Sequence, residues 1–296
     1  MQNTYLKWST LLKEQFGGRV QKISLDIGAG CPHRDGLEKG GCIFCDFRGG
    51  GSGAWLEHKD LVLQIEQGIQ VARRKYKAEK VILYFQSYTS TNLPLNVLQK
   101  RIHESLSLAS GSIEVVGISL GTRPDMVPDD FLDLLVDLDS QGLQVWLELG
   151  VQTTDPYGLI WLNRGHGIDE VEECLSRCSG LPINICAHLI AGVKNEKMSQ
   201  LRDSSLWLVK RGVKALKFHP LHVLKGTVLE NMYLAGEYTP LTMEEYAQRV
   251  SMALKAVPQD MIIQRLSADA AKQWLIAPEW IIRKSEVIRE IEKFLE

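Results

Sequence analysis

Three of the chain's six cysteines fall inside one short stretch, "DIGAGCPHRDGLEKGGCIFCDFR" at residues 26–48. Cys31, Cys42 and Cys45 have the spacing C-x10-C-x2-C, one thiol short of a closed four-thiolate site. Four chemistries fit three thiols in such a loop. A disulfide would leave an odd thiol and needs an oxidising compartment. A structural zinc wants four ligands, and His33 could be the fourth, although it lies only two residues after Cys31. A catalytic thiol needs one cysteine and leaves two unexplained. A [4Fe–4S] cluster on three thiolates leaves one iron open, where a small molecule can be ligated and reduced. Gly28, Gly30, Gly36, Gly40 and Gly41 would let the backbone close around a compact inorganic core.

The elements around this loop say where it must sit. Short runs rich in Val, Ile and Leu predict strands at 21–27, 80–86, 113–120, 144–149, 182–190, 213–219 and 261–266. Such nearly continuous apolar runs suit buried parallel strands. Helical spacing predicts helices at 58–76, 94–108, 128–140, 168–178, 198–211 and 243–256, with Pro94 and Pro128 where a first turn tolerates proline. The interval between strands is about 30 residues, the period of βα units forming an open sheet or a partial barrel. Six central units are expected. The connection from Ile27 to His58 is long for a βα loop, as functional loops are. It follows the first strand, so its cysteines sit at the strands' C-terminal ends, where barrel active sites are built. "RGGGSG" at residues 48–53 reads as an elbow after it.

The chain divides into an N-terminal helical extension at 1–20, a barrel at 21–256 and a C-terminal strand-and-helix extension at 257–296. With 45% hydrophobic and 24% charged residues among 296, it is an ordinary globular composition, and the net charge of −2 advertises no nucleic acid. Charge is uneven along it, however. Residues 125–163 hold eight Asp/Glu and no Lys or Arg, and residues 194–226 hold eight Lys/Arg against two Asp/Glu. That asymmetry permits a basic face. "MQNTYLKWSTLLKEQF" has no signal-peptide core, no apolar run is long enough to span a bilayer, and a cytoplasmic location is expected.

"CPHRDGLEKGGCIFC" resembles the cluster loop of the radical S-adenosylmethionine superfamily. Its wide first gap is similar to the branch related to the Elongator catalytic subunit, and within it to the bacterial YhcC/YtqA-type family. "YFQSYTSTN", "GISLGTRPD", "LELGVQTTDPYGLIWLNRGHG", "ALKFHPLHVLKGTVLE" and "QRLSADAAKQWLIAPEW" continue the resemblance along nearly the whole chain. It implies a TIM-like partial (β/α)6 barrel. It also implies a [4Fe–4S] cluster on Cys31, Cys42 and Cys45 that reductively cleaves S-adenosylmethionine to a 5′-deoxyadenosyl radical.

The resemblance places Phe44 near the adenine. The usual Gly-Gly-Glu after the second strand is replaced by "FQSYTST", which leaves Gln86, Ser87 and Thr89 as candidates for that place. Gln152 and Arg164 fall where related enzymes hold the cofactor. Glu148, at the barrel mouth, could accept ribose hydroxyls, and His188 is a pocket candidate. Arg123, Lys217, His219, His222 and Lys225 could touch an anionic substrate. Cys174, Cys178 and Cys186 are expected to be packing residues. The family further implies tRNA as partner, remodelling of a wobble-uridine side chain from carboxymethylaminomethyl to aminomethyl, and an electron donor such as flavodoxin or ferredoxin. The cations and aromatics Arg265, Lys272, Trp274, Trp280, Arg283 and Lys284 in the tail suit an RNA surface.

Overall fold

The computed structural model describes residues 5–35, 39–49 and 60–296. Gly36, His58 and residues 50–53 of the elbow lie outside the described residues. β1 (Leu6–Lys7) leads into α1 (Trp8–Phe16), and β2 (Val20–Leu25) opens the barrel. β3 (Arg34–Asp35) and β4 (Lys39–Gly40) pair as a small antiparallel ribbon within the cysteine loop, and α2 (Leu61–Tyr76) follows. Next come β5 (Lys80–Phe85), α3 (Leu95–Ser110), β6 (Glu114–Thr122), α4 (Asp129–Ser140) and β7 (Gln144–Gln152). Then follow α5 (Pro156–Trp161), α6 (Ile168–Cys178), β8 (Asn184–Ala191), α7 (Gln200–Val209) and β9 (Ala215–Pro220). The chain continues through β10 (Val223–Leu224), α8 (Val228–Leu234), α9 (Met243–Ala256), β11 (Ile262–Arg265), β12 (Leu275–Ala277) and α10 (Lys284–Lys293).

Caps fix several helix starts. The Asp60 carboxylate accepts from the Val62 amide at 2.8 Å and caps α2. Thr242 and Glu245 form a reciprocal capping box on α9. Pro94 and Pro128 sit immediately before the first turns of α3 and α4.

Eight strands form one sheet in the order β1-β11-β9-β8-β7-β6-β5-β2, and every neighbouring pair is parallel. The expected partial α/β barrel is therefore present, with six βα units from β2 to β9. The sheet also runs further than those six. β11 adds to β9, and the two-residue β1 adds to β11. Two residues are too few to leave an alternation pattern in sequence.

Alternation sorts the strand residues between two environments. Outward-facing Ile23, Leu25, Leu83, Phe85, Ile118, Leu120, Leu147, Leu149, Leu189 and Phe218 pack with the helix layer in the main core, together with Cys174 and Cys178. Inward-facing Ile82, Val116, Trp146, Cys186 and Ala215 form a second cluster with Trp8 and Leu12 of α1, and an irregularity in the β5–β6 register at Val81/Ile82 lets Val116 face inward although Ile118 faces outward. The two indoles meet edge to face, 5.5 Å between centroids. α1 is thus a plug in the N-terminal end of the barrel, and the three outlying cysteines are buried packing residues as expected.

Candidate active site

The cysteine loop is stitched to the loop after β7. The Ile43 amide donates to Leu162 O at 3.0 Å, Asn163 Nδ2 to Gly41 O at 2.7 Å, and His33 Nε2 meets Asn163 O at 2.8 Å. Two tight turns place the thiols, Arg34 N to Cys31 O at 3.1 Å and Cys45 N to Cys42 O at 3.0 Å. On the other side, Thr89 N donates to Gly30 O at 3.0 Å, and Tyr88 N to Gly49 O at 3.3 Å. Gly49 has φ +66°, and a Cβ on it would lie 2.3 Å from the Tyr88 ring, so only glycine fits.

Two guanidinium groups face the sulfurs. Arg164 Nη1 lies 3.5 Å from Cys42 Sγ while its Nε and Nη2 donate to Gly150 O, and Arg34 Nη1 lies 3.6 Å from Cys45 Sγ. Burial, followed by the neighbouring Cys42, pushes the Cys45 thiol up to about 12, so its thiolate calls for a positive partner. His33, the candidate fourth ligand for a zinc, is engaged with Asn163 O. Three thiols with two guanidinium groups beside them are a donor set that fits an iron–sulfur core.

Below the loop lies a cavity of about 600 Å³, lined from β2, β5, β6, β7, β8, β9 and β11. Glu148, with its side chain fully buried, forms its centre. Lys22 and Lys217 both contact its carboxylate, Ser119 Oγ donates to it, and His188 Nε2 donates at 2.8 Å. Despite burial, the two ammonium groups hold the Glu148 carboxyl well below its ordinary range. Burial lowers Lys22 to about 7 against the opposing pull of Glu148. Burial and the nearby Lys217 charge lower His188 to about 4. His219 is held well below its usual value by burial and then by Arg265.

Most candidates from sequence converge here. Cys31, Cys42, Cys45, Phe44, Gln86, Thr89, Arg123, Glu148, Gln152, Arg164, His188, Lys217, His219 and His222 all line the cavity. Two do not. Ser87 follows inward-facing Gln86, so alternation turns it away, and its buried Oγ has no partner among the described residues. Lys225 is exposed after β10. Glu148 is one layer below the mouth, between Trp146 and Gly150, with its oxygens already engaged. Arg164 does not pair with it. Gln152 closes β7 at φ +72°, an uncommon conformation for a residue with a side chain, and one that clusters at functional sites.

Sequence reasoning missed Lys22, Arg34 and Tyr84. The signal for Lys22 is a lysine in phase with Val20 and Ser24 on the inward face of an apolar strand, which only the barrel's curl makes a charged interior.

Residues 25–208 match the Radical SAM superfamily, and residues 213–296 match the Radical_SAM C-terminal domain. The uncharacterized protein YtqA of Bacillus subtilis is 35% identical, over 99% of this chain and 91% of that protein. A tRNA uridine(34) acetyltransferase of Methanocaldococcus jannaschii is 23% identical over 61% of this chain and 33% of its own length. Among solved structures, the archaeal Elp3 of Methanocaldococcus infernus superposes with a TM-score of 0.70 at 18% identity, covering 93% of this chain and 63% of that one. Family match, parallel sheet and three-cysteine loop agree: the chain belongs to the radical S-adenosylmethionine superfamily.

Proposed function

We propose that this radical S-adenosylmethionine enzyme remodels the C5 side chain of a tRNA wobble uridine, of the carboxymethylaminomethyl-to-aminomethyl type. The observation that carries the reading is the three-cysteine loop over the mouth of a deep polar cavity, in a chain similar to a tRNA uridine(34) enzyme. Cys31, Cys42 and Cys45 would hold the [4Fe–4S] cluster. Phe44, Gln86, Gln152 and Arg164 surround the place for S-adenosylmethionine, with Glu148 and His188 below. Cluster and cofactor together, when bound, supply a one-electron route to a carbon radical that removes a hydrogen atom from substrate.

The protein's own share is placement and exclusion of water. Arg164 is anchored on Gly150 O, so its guanidinium is preorganised beside Cys42. α1 seals the far end of the barrel, which leaves the mouth as the entrance. An external donor such as flavodoxin or ferredoxin would bring the electron.

A tRNA would meet the mouth. Exposed Lys194 follows β8 and exposed Lys225 follows β10, both at that end. Arg48 lies over the Trp274 ring, 5.4 Å from its centroid, at the rim. The basic stretch is not one face, however. Lys210 and Lys214 precede β9 and lie at the opposite end, Lys217 is buried inside, and Arg202 and Arg211 pair with Asp203 and Glu172. In the tail, Trp280 is buried and Lys284 pairs with Asp269. The phosphate contacts are therefore few, and a shallow salt dependence of tRNA binding is expected.

The test is reaction of the anaerobically reconstituted protein with S-adenosylmethionine, dithionite and bulk tRNA, followed by nucleoside mass spectrometry. A gained aminomethyl-uridine supports the reading. Unchanged nucleosides, with tRNA neither bound nor stimulating 5′-deoxyadenosine release, overturn it.

A further inference from the structure

Two lysines share one carboxylate on the cavity floor. Lys22 spends its ammonium on Glu148, on Ser119 Oγ at 3.2 Å and on Gln264 Oε1 at 3.2 Å, and it also lies over the Trp8 and Tyr84 rings. Lys217 contacts Glu148 and lies 4.5 Å from the Tyr84 centroid, with no other acceptor among the described residues. An ammonium carries three donors, so Lys217 keeps capacity that the protein does not use. Its side chain is only 4% exposed, yet it lines the cavity. Two positions along β9, His219 also lines the cavity, and its buried Nε2 has no partner among the described residues.

Unused donors on the floor call for an acceptor. Lys217 keeps N–H capacity, His219 Nε2 has no partner among the described residues, and Arg265, 3.6 Å from Asp269, lines the same cavity. Buried donors without acceptors are costly, and an anion is the complement that satisfies them. Glu148, Cys186 and His188 have ligand atoms within 4.8 Å of one another and by composition could suit a cation. Both Glu148 oxygens are already held by lysines, so a cation there would sit against two ammonium groups. Lys22 is saturated, which leaves the spare N–H donors of Lys217 and the imidazole of His219, a pair that matches the two oxygens of a carboxylate.

We infer that Lys217, with His219 beside it, is the docking point for a carboxylate on the substrate, held on the cavity floor beneath the cysteine loop. The inference rests on the proposed uridine side-chain chemistry and says which end of that side chain enters first, the carboxylate end. Lys217 then sets specificity for acid over amide.

The experiment uses the anaerobic holoenzyme with S-adenosylmethionine bound, and calorimetric titration with N-methylglycine, N-methylglycinamide and inorganic phosphate. The acid is expected to bind about tenfold tighter than the amide, as a charge-assisted pair at a buried site allows. Lys217→Gln and Lys217→Met both leave Glu148 paired with Lys22, and both should bring acid and amide to within about twofold. Equal binding of acid and amide to the unaltered enzyme overturns the inference without recourse to a variant. So does phosphate binding tighter than the acid in a Lys217-dependent way. A fall in S-adenosylmethionine affinity in Lys217→Gln, with acid–amide discrimination intact, assigns Lys217 to the cofactor and overturns it too. An RNA hairpin bearing carboxymethylaminomethyl-uridine separates the two claims. Discrimination of small acids without RNA turnover sinks the tRNA reading alone, and RNA turnover without discrimination sinks the role of Lys217 alone.

Discussion

At Gly150 the missing side chain is filled by a neighbour. A Cβ there would lie 2.8 Å from Arg164 Nη2 and 2.8 Å from Gln152 Nε2, both ends of flexible side chains. Gly150→Ala should therefore leave stability within about 1 kcal/mol while moving the guanidinium off its carbonyl. Affinity for S-adenosylmethionine should fall about tenfold, measured by equilibrium dialysis, the scale of one charge-assisted hydrogen bond. Unchanged affinity removes Arg164 and Gln152 from the cofactor site. Cys42→Ala and His33→Ala make a second pair at this scale. Loss of Cys42 should abolish both the iron–sulfur absorbance and 5′-deoxyadenosine formation. His33 bonds only a backbone carbonyl among the described residues, so His33→Ala should keep its iron and sulfide. Zinc in place of iron, lost with His33, would restore the structural-zinc alternative.

Among elements, α1 does the least conventional work. Nine residues outside the βα repeat close the barrel end through Trp8 and Leu12 and provide the ring over which Lys22 lies, 4.5 Å from its centroid. Trp8→Ala should cost about 3–5 kcal/mol, as truncation of a buried aromatic does, read as a lowered urea midpoint. It should also admit water beneath Lys22, seen as faster solvent exchange of the β2 amides. A loss under about 1 kcal/mol means that α1 lies loosely against the barrel rather than plugging it. The loop after β7 is the other decisive element. It holds the cysteine loop through Leu162 and Asn163 and the guanidinium through Arg164, so one segment sets sulfur and cation together.

For the whole molecule, buried neutral histidines tie stability to pH. Burial and then Arg164 lower His166 to about 4, burial and then Lys217 lower His188 to about 4, and burial lowers His222. The unfolded chain takes up protons near the ordinary histidine value while the native state refuses them. Between about pH 6.5 and 4 the unfolded state therefore binds more protons, and stability falls as pH falls through that window. At pH 5.5, His166 and His188 should each remove about 1 kcal/mol relative to pH 7.5. Denaturant titrations of cofactor-free protein at those two pH values test it, and equal midpoints contradict it.

The alternation of apolar runs and amphipathic helices already determined a parallel α/β sheet, open or curled, because buried parallel strands need continuous apolar residues and each crossover needs a helix, and the motif resemblance chose the partial barrel. The C-x10-C-x2-C spacing, after the first strand, also determined where the thiols lie, since barrel topology puts that loop at the mouth. Helices α6 and α9 were legible to the residue from their periodicity and ends. The tertiary structure alone decided the rest. Lys22 and Lys217 are 195 positions apart and Glu148 stands between them in sequence, yet closing the sheet brings all three to one floor. It also divided the basic stretch between two ends of the barrel and turned Ser87 away from the cavity. Sequence periodicity records which side of its own strand a residue faces. Only the curl of the sheet decides which distant residues that side will meet.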